Sequence, residues 1–233
     1  MSLSSILVKD TPKYDLTVPS TRKKIKYRPF LVKEEKILLI AQESDDIDQI
    51  YSSIVDVIES CAEGFEDVKT MPLFDVEYIF LQLRAKSIGE VVQPTVVCPD
   101  TGEHIQLDVN ITSIEVVVDP NQNKNIQISD DIVVKMNYPT VLDVIENSKD
   151  NSNLYDMVIS CMDEIQNNKE VFECGDFSRE ELEDFVNHLT AEQFSKLLNF
   201  VLESPKLEHE VSYTTSDGIE RGLVLSGLGD FFL

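Results

Sequence analysis

Apolar positions along this chain fall into blocks whose period switches between two and about three and a half, a pattern that predicts alternating β and α elements. Leu16 and Val18, then Ile25 and Tyr27 set between Lys24, Lys26 and Arg28, flank Pro19-Ser20-Thr21 and predict a short basic hairpin with a cationic outward row. Leu31 to Gln42 reads as a helix with acids early and a wide apolar face. Ser44-Asp45-Asp46 supplies an N-cap, and Ile47, Ile50, Ile54, Val57 and Ile58 continue at helical spacing to Cys61, so two helices form a hairpin. Beyond Pro72, Phe74 to Lys86 predicts a third helix that Gly89 stops. Val91 to Val97 and His104 to Val109 alternate about Cys98-Pro-Asp-Thr-Gly102, which predicts strand, turn, strand.

The second half predicts short strands over Ile114 to Val118, Ile126 to Ile128 and Ile132 to Met136, ended by Pro139. Helices follow over Val141 to Asn147 and Leu154 to Ile165, then a short strand at Val171-Phe172. Ser178 with Glu181, and Thr190 with Gln193, are capping boxes opening helices that run to His188 and Leu202. Leu207 to Tyr213 and Ile219 to Leu225 form a last hairpin, and Leu228, Phe231 and Phe232 close the chain with apolar residues.

The order of these landmarks recurs. Pro29 and Pro139, Cys61 and Cys161, and Cys98 and Thr214 match in sequence order at offsets of 110, 100 and 116 positions. The fold class this predicts is α+β: two diverged tandem copies of a strand-pair, helices, β-hairpin module. Residues 1–13 form a flexible arm, 14–113 the first pseudo-repeat and 114–233 the second, packed as one compact unit.

Charge divides the chain unevenly. Of 43 acidic and 20 basic residues, residues 1–39 hold only four acids but nine Lys or Arg, so a basic N-terminal stretch precedes a strongly acidic body. A net charge of −23 repels phosphates and excludes nucleic acid as a partner of the body. The sequence opens with no secretion signal and holds no run of about 20 apolar residues. The expectation is a cytosolic protein that does not span a membrane. Cys61 and Cys161 lie among apolar helix positions and read as buried thiols.

Catalytic signatures are missing from the sequence. It contains no phosphate-binding glycine loop and no nucleophile elbow, and His104, His188 and His209 are scattered. The two turns carry the residual chemistry. A structural zinc ribbon sets two thiolates on each of two knuckles, but the four equivalent positions here hold Cys98, Thr101, Thr214 and Asp217. These are degenerate zinc-ribbon-like knuckles, and neither a metal nor a cofactor is expected. A makeshift metal site from Cys98, His104 and Asp217, or a cleft enzyme built on Asp100, His104 and Asp217, is the rival reading.

Four stretches bring a family into view: Leu16-Thr-Val-Pro-Ser-Thr-Arg-Lys-Lys-Ile25, Pro29 to Ala41, Asp75 to Glu90, and the last hairpin before Gly227-Leu-Gly-Asp-Phe-Phe232. Together they resemble the baseplate hub proteins of T4-like contractile-tailed bacteriophages. Members of that family often carry Cys-x-x-Cys in both knuckles, and this chain departs from that pattern. The resemblance implies a non-enzymatic structural or assembly protein of the baseplate hub, acting through contacts with other phage baseplate hub proteins. It would work in the host cytoplasm during assembly and in the virion tail baseplate. The alternative is a transient acidic chaperone that leaves before the virion is complete.

Partner contacts fall to Arg22, Lys23, Lys24, Lys26 and Arg28 as a cationic strand edge, and to Leu228, Phe231 and Phe232 as a packing anchor. A solvated edge that guards against aggregation and an ordinary core closure explain the same residues. Oligomeric state, copy number and the particular hub partner stay open.

Overall fold

The computed structural model describes residues 11–44, 46–65, 67–119, 122–149, 154–168 and 170–232. The flexible-arm reading for residues 1–13 falls for its first ten residues outside this set. In chain order the elements are β1 (Tyr14–Thr17), β2 (Lys24–Tyr27), α1 (Val32–Gln42), α2 (Ile47–Cys61), β3 (Ala62–Glu63) and α3 (Leu73–Ser87). Next come β4 (Val91–Val92), β5 (Thr95–Val97), β6 (His104–Gln106), β7 (Val109–Asn110), β8 (Asn125–Gln127), β9 (Ile132–Met136), α4 (Val141–Lys149) and α5 (Leu154–Ser160). The rest are β10 (Met162–Asn167), β11 (Glu170–Glu173), α6 (Arg179–Asn187), α7 (Ala191–Leu202), β12 (Glu208–Thr214), β13 (Glu220–Ser226) and α8 (Gly227–Phe232). Helices and small antiparallel sheets together make an α+β fold.

The chain gathers into two compact units, one of residues up to 68, 74–117 and 206 onward, the other of 69–73 and 118–205. The pseudo-repeat division instead cuts between residues 113 and 114 and keeps the last hairpin with the second copy.

In the first unit, β1, β2 and β3 form a sheet in that order. Alternation in β2 buries Ile25 and Tyr27 and exposes Lys24 and Lys26. Asp46 caps α2 by accepting from the Asp48 N–H at 3.0 Å, and Ile54, Val57, Ile58 and Cys61 face inward. Helix α3 is buried on nearly every side, which suits its apolar content, and it carries Asp75 and Glu77 inward with the rest. The carboxylate of Asp75 accepts the Ser20 N–H at 3.0 Å and its hydroxyl, so the β1–β2 turn is held on the first turn of α3.

The second unit holds a four-stranded sheet ordered β11-β10-β9-β8 with helices α4 to α7. Its core includes Val134, Met136, Val158, Ile159 and Leu197, and Tyr138 stacks on Phe200 with centroids 5.6 Å apart. Both capping boxes form as the sequence predicts, at Ser178 and Thr190.

Three local expectations change. The predicted helix from Leu154 to Ile165 ends at Ser160, and Met162 to Asn167 becomes strand β10 between β9 and β11. Two neighbouring ladders satisfy its backbone, outweighing a weak local helical period. The predicted strand over Ile114 to Val118 buries Ile114 and Val116 alternately yet pairs with no strand among the described residues, so it is extended chain without a ladder there. The strand predicted from Val91 to Val97 breaks at Gln93-Pro94, where proline has no N–H to give, into β4 against β7 and β5 against β6.

Each unit also contains the same small arrangement. In the first, β2 is followed by α1, α2 and β3, and the Arg28 N–H donates to the Cys61 carbonyl at 2.9 Å. In the second, β9 is followed by α4, α5 and β10, and the Asn137 N–H donates to the Cys161 carbonyl at 2.7 Å.

Candidate functional site

The two turns that the sequence reads as worn knuckles lie together in the first unit, and an arginine joins them. Gly102 and Gly218 take φ of +71° and +78°, the left-handed backbone both turns need. Across the turns, Glu103 accepts the Ser216 N–H at 3.0 Å and the Ser216 hydroxyl. Arg221, on β13, donates to Asp100 at 2.9 Å and to Asp217 at 2.9 and 3.1 Å, and it also donates to the Thr215 hydroxyl. Its guanidinium therefore bridges a carboxylate from each turn, in the forked geometry that lysine cannot reproduce.

Hydrogen bonds from Arg221, Thr215 and the Ile219 N–H hold the Asp217 carboxyl well below the usual carboxylate range. Cys98 is buried, and hydrogen bonds from Thr101, from the Thr101 and Asp100 backbone and from Tyr213 draw its thiol downward. Thr214 is exposed on β12. Among the described residues, no group of three or more His, Cys, Asp and Glu side chains is placed to hold a metal ion. His104 is exposed on β6 and makes no hydrogen bond or ion pair to Asp100 or Asp217 among the described residues, so the rival trio is not assembled around it.

Sequence reading missed Arg221. One signal pointed to it: after Lys206 it is the sole Lys or Arg in an otherwise acidic tail. Its loss has a signed pH dependence. A carboxyl held low stabilises the fold above its ordinary range and loses that contribution as pH falls through its folded value. Arg221→Met is therefore expected to lower the melting temperature at pH 7, and to lower it less and less as pH drops below about 4. Thermal melts of both proteins across that range check this; a deficit that does not vary with pH would show that Arg221 acts only by packing.

The cationic row sits differently from its sequence reading. The short β3 pairs with β2 only at Lys26 and Tyr27, so Lys26 stands between two strands, whereas Lys24 is paired on the β1 side alone. Lys26 lies opposite Asp15 on one side and Glu63 on the other. Arg28 is half-buried, paired with Glu34 at 3.0 Å and bonded to the Ser60 and Pro29 carbonyls, so it ties the strand to α1. Arg22, Lys23 and Lys24 are exposed, with Arg22 in the left-handed region at φ of 57°.

At the carboxyl end, Leu228 and Phe231 close the unit's own core. Phe232 is half-buried, edge-on to Phe80 at 6.1 Å, with Arg84 over its ring at 4.8 Å. Beside it runs an apolar groove of about 270 Å³ floored by Ile54, Phe80 and Leu228 and rimmed by α1. On α1, Leu39 and Ile40 are 54% and 56% exposed, a solvent-facing apolar patch that the predicted inward face did not anticipate.

The family model described as T4 bacteriophage base plate protein matches residues 11–233. The chain belongs to that family. It is also 25% identical over 221 residues to the "Baseplate hub assembly protein gp26" of Enterobacteria phage T4, covering 94% of this chain and 97% of that protein. No solved structure matches. Among the described residues, no helix of this base plate family member is long and apolar enough to cross a membrane.

Proposed function

We propose that this protein is a non-enzymatic structural or assembly protein of the baseplate hub of a contractile-tailed bacteriophage, working by contact with other baseplate proteins in the host cytoplasm and in the tail. The observation that carries this reading is near full-length similarity to a protein named for baseplate hub assembly. The chemistry agrees with it. Asp100, Asp217 and Arg221, three charged groups that converge in the first unit, are engaged in holding two turns together, while apolar side chains on α1 face solvent.

The architecture fits descent from a duplicated module. Matched hydrogen bonds at Arg28 and Asn137, each closing on the cysteine that ends a helix pair, support that history. In it, the Arg221 clasp occupies the place of a knuckle pair whose thiolates have been reduced to Cys98.

Contact with a partner is assigned to the exposed cations Arg22, Lys23 and Lys24, joined by the apolar patch of α1. Charge reversal at Arg22, Lys23 and Lys24 together is expected to abolish co-purification with baseplate proteins from infected cells, while the melting temperature stays near that of the parent. Undiminished co-purification would remove these residues from the interface. A net charge of −23 favours a second reading, a transient acidic chaperone for basic baseplate subunits. Quantifying the protein in purified virions separates the two, since stoichiometric retention belongs to a hub component.

A further inference from the structure

We propose that the second unit carries a docking groove for a cationic amphipathic segment of a partner protein, one that sets bulky apolar side chains among three phenylalanines and a lysine or arginine against Glu181. This goes beyond the baseplate reading and does not depend on it.

The groove follows from the register of the four-stranded sheet. Ile165 on β10 lies directly opposite Val134 on β9 and Phe172 on β11, and Asn167 lies opposite Ile132 and Glu170. Residues directly opposite one another share a face, as do residues two apart, so all of these stand on one side of the sheet. Ile132, Ile165 and Phe172 form one wall of a groove of about 330 Å³, and Phe177 with Leu182 and Phe185 of α6 forms the other. Phe172 and Phe177 lie at 6.2 Å between ring centroids, edge to face, and remain 37% and 38% exposed, so their apolar surface is open to a partner. That volume is at the small end of ligand pockets and suits one or two side chains of a larger molecule.

Charge selects what that molecule brings. Asn167 and Glu181 are the polar residues lining the groove, and Glu181 is the charged one. Its Oε2 accepts the Ser178 N–H at 2.9 Å and the Ser178 hydroxyl at 3.0 Å, whereas its Oε1 accepts no hydrogen bond among the described residues. Those two bonds hold the carboxyl below its usual range, so it is ionised at neutral pH. Glu170 adds a second anion on the same face, directly across from Asn167.

The neighbouring cations of the chain are committed elsewhere. Lys135, the sole Lys or Arg on β8 to β11, pairs across with Glu164 and so belongs to the opposite face, where it also bonds Asp163 at 2.7 Å. Arg179, the sole one on α6, pairs with Asp156 at 2.7 Å and with Glu183 at 3.0 Å. An apolar groove whose one charged group is a carboxylate with a free oxygen accepts a cation and rejects an anion. A second copy of this chain would bring the same net charge of −23 and be repelled. The fitting segment thus carries bulky apolar residues between lysines or arginines.

The test uses the full chain at physiological salt and the blocked peptide Lys-Lys-Phe-Leu-Lys-Lys, with the methyl signals of Ile132, Ile165 and Leu182 read by NMR. The expected result is a saturable shift of all three. The equally charged Lys-Lys-Ser-Ser-Lys-Lys should move none of them, and Glu-Glu-Phe-Leu-Glu-Glu should bind more weakly. Glu181→Gln keeps the capping box, because glutamine serves at that position, and should weaken binding about twofold to fivefold. Phe172→Thr should weaken it about tenfold; if that variant melts early, Glu181→Gln decides alone. The proposal is overturned if millimolar peptide moves none of the three methyls, if the serine or the glutamate peptide binds as tightly, or if Glu181→Gln binds like the parent. It is also overturned if those signals move when the free protein is diluted or when residues 2–10 are deleted, because the occupant is then a second copy or the chain itself. None of these outcomes bears on co-purification with baseplate proteins, so the two readings fail separately.

Discussion

Phe231→Ala should destabilise the first unit by about 3–5 kcal/mol, the usual cost of deleting a buried aromatic side chain and leaving its cavity. Phe231 is 2% exposed and sits on α8, so its ring holds the last helix on the core. Phe232→Ala should cost far less, because that ring is half-buried and keeps one face toward the groove beside α1. Denaturant midpoints of the two variants decide between the readings left open for the carboxyl end. If Phe231→Ala leaves the midpoint in place and abolishes partner binding, the apolar tail is an anchor for a neighbour and not a closure of its own core.

The second large effect concerns a buried carboxyl. Glu77 accepts the Tyr51 hydroxyl at 3.0 Å and, more weakly, the Leu228 N–H at 3.4 Å, linking α2, α3 and α8. Burial pushes its pKa up against the lowering effect of those hydrogen bonds. A carboxyl raised in the fold contributes stability that is complete below its ordinary range and is lost as pH rises through its folded value. Asp75, also raised by burial, has the same sign.

Removing the donor leaves a buried acceptor unsatisfied, so Tyr51→Phe should destabilise by about 1–3 kcal/mol at neutral pH. Glu77→Gln keeps the accepting oxygen and removes the ionisation, so its stability should fall less steeply between about pH 4 and 7 than that of the parent. Urea titrations at several pH values test both. A parallel pH profile for parent and Glu77→Gln would mean that Glu77 keeps its ordinary ionisation in the fold.

Most helices were legible in the sequence because their causes are local. Asp46, Ser178 and Thr190 cap within three residues of themselves, and the faces of α2 and α7 repeat every turn. Strand identity was less legible where it depended on a distant partner. Met162 to Asn167 is a strand because β9 and β11 flank it, and Ile114 to Val118 is not one because no described strand pairs with it, although its alternation is the clearer of the two. The exposed side of α1 was also hidden, since an apolar helix reads the same whether or not a neighbour covers it.

Among the candidate residues, the sequence marked the two turns by their glycines and placed cations near β2, but it could not say what either would meet. Asp100 and Asp217 lie 117 positions apart and converge only because two hairpins bring them to Arg221. Arg28 looked like one of a row and is instead held by Glu34 and the Ser60 carbonyl.

By itself, then, the sequence determined where the capped helices begin, which positions are apolar, how charge is distributed, and membership of the base plate family, since all of these are carried by neighbouring residues or by their order. The tertiary structure alone decided that β2 is a middle strand, that an arginine joins the two turns, and that residues of β5 and β13 line a common groove. Those are properties of residues far apart in the chain, and only folding fixes the distance between them.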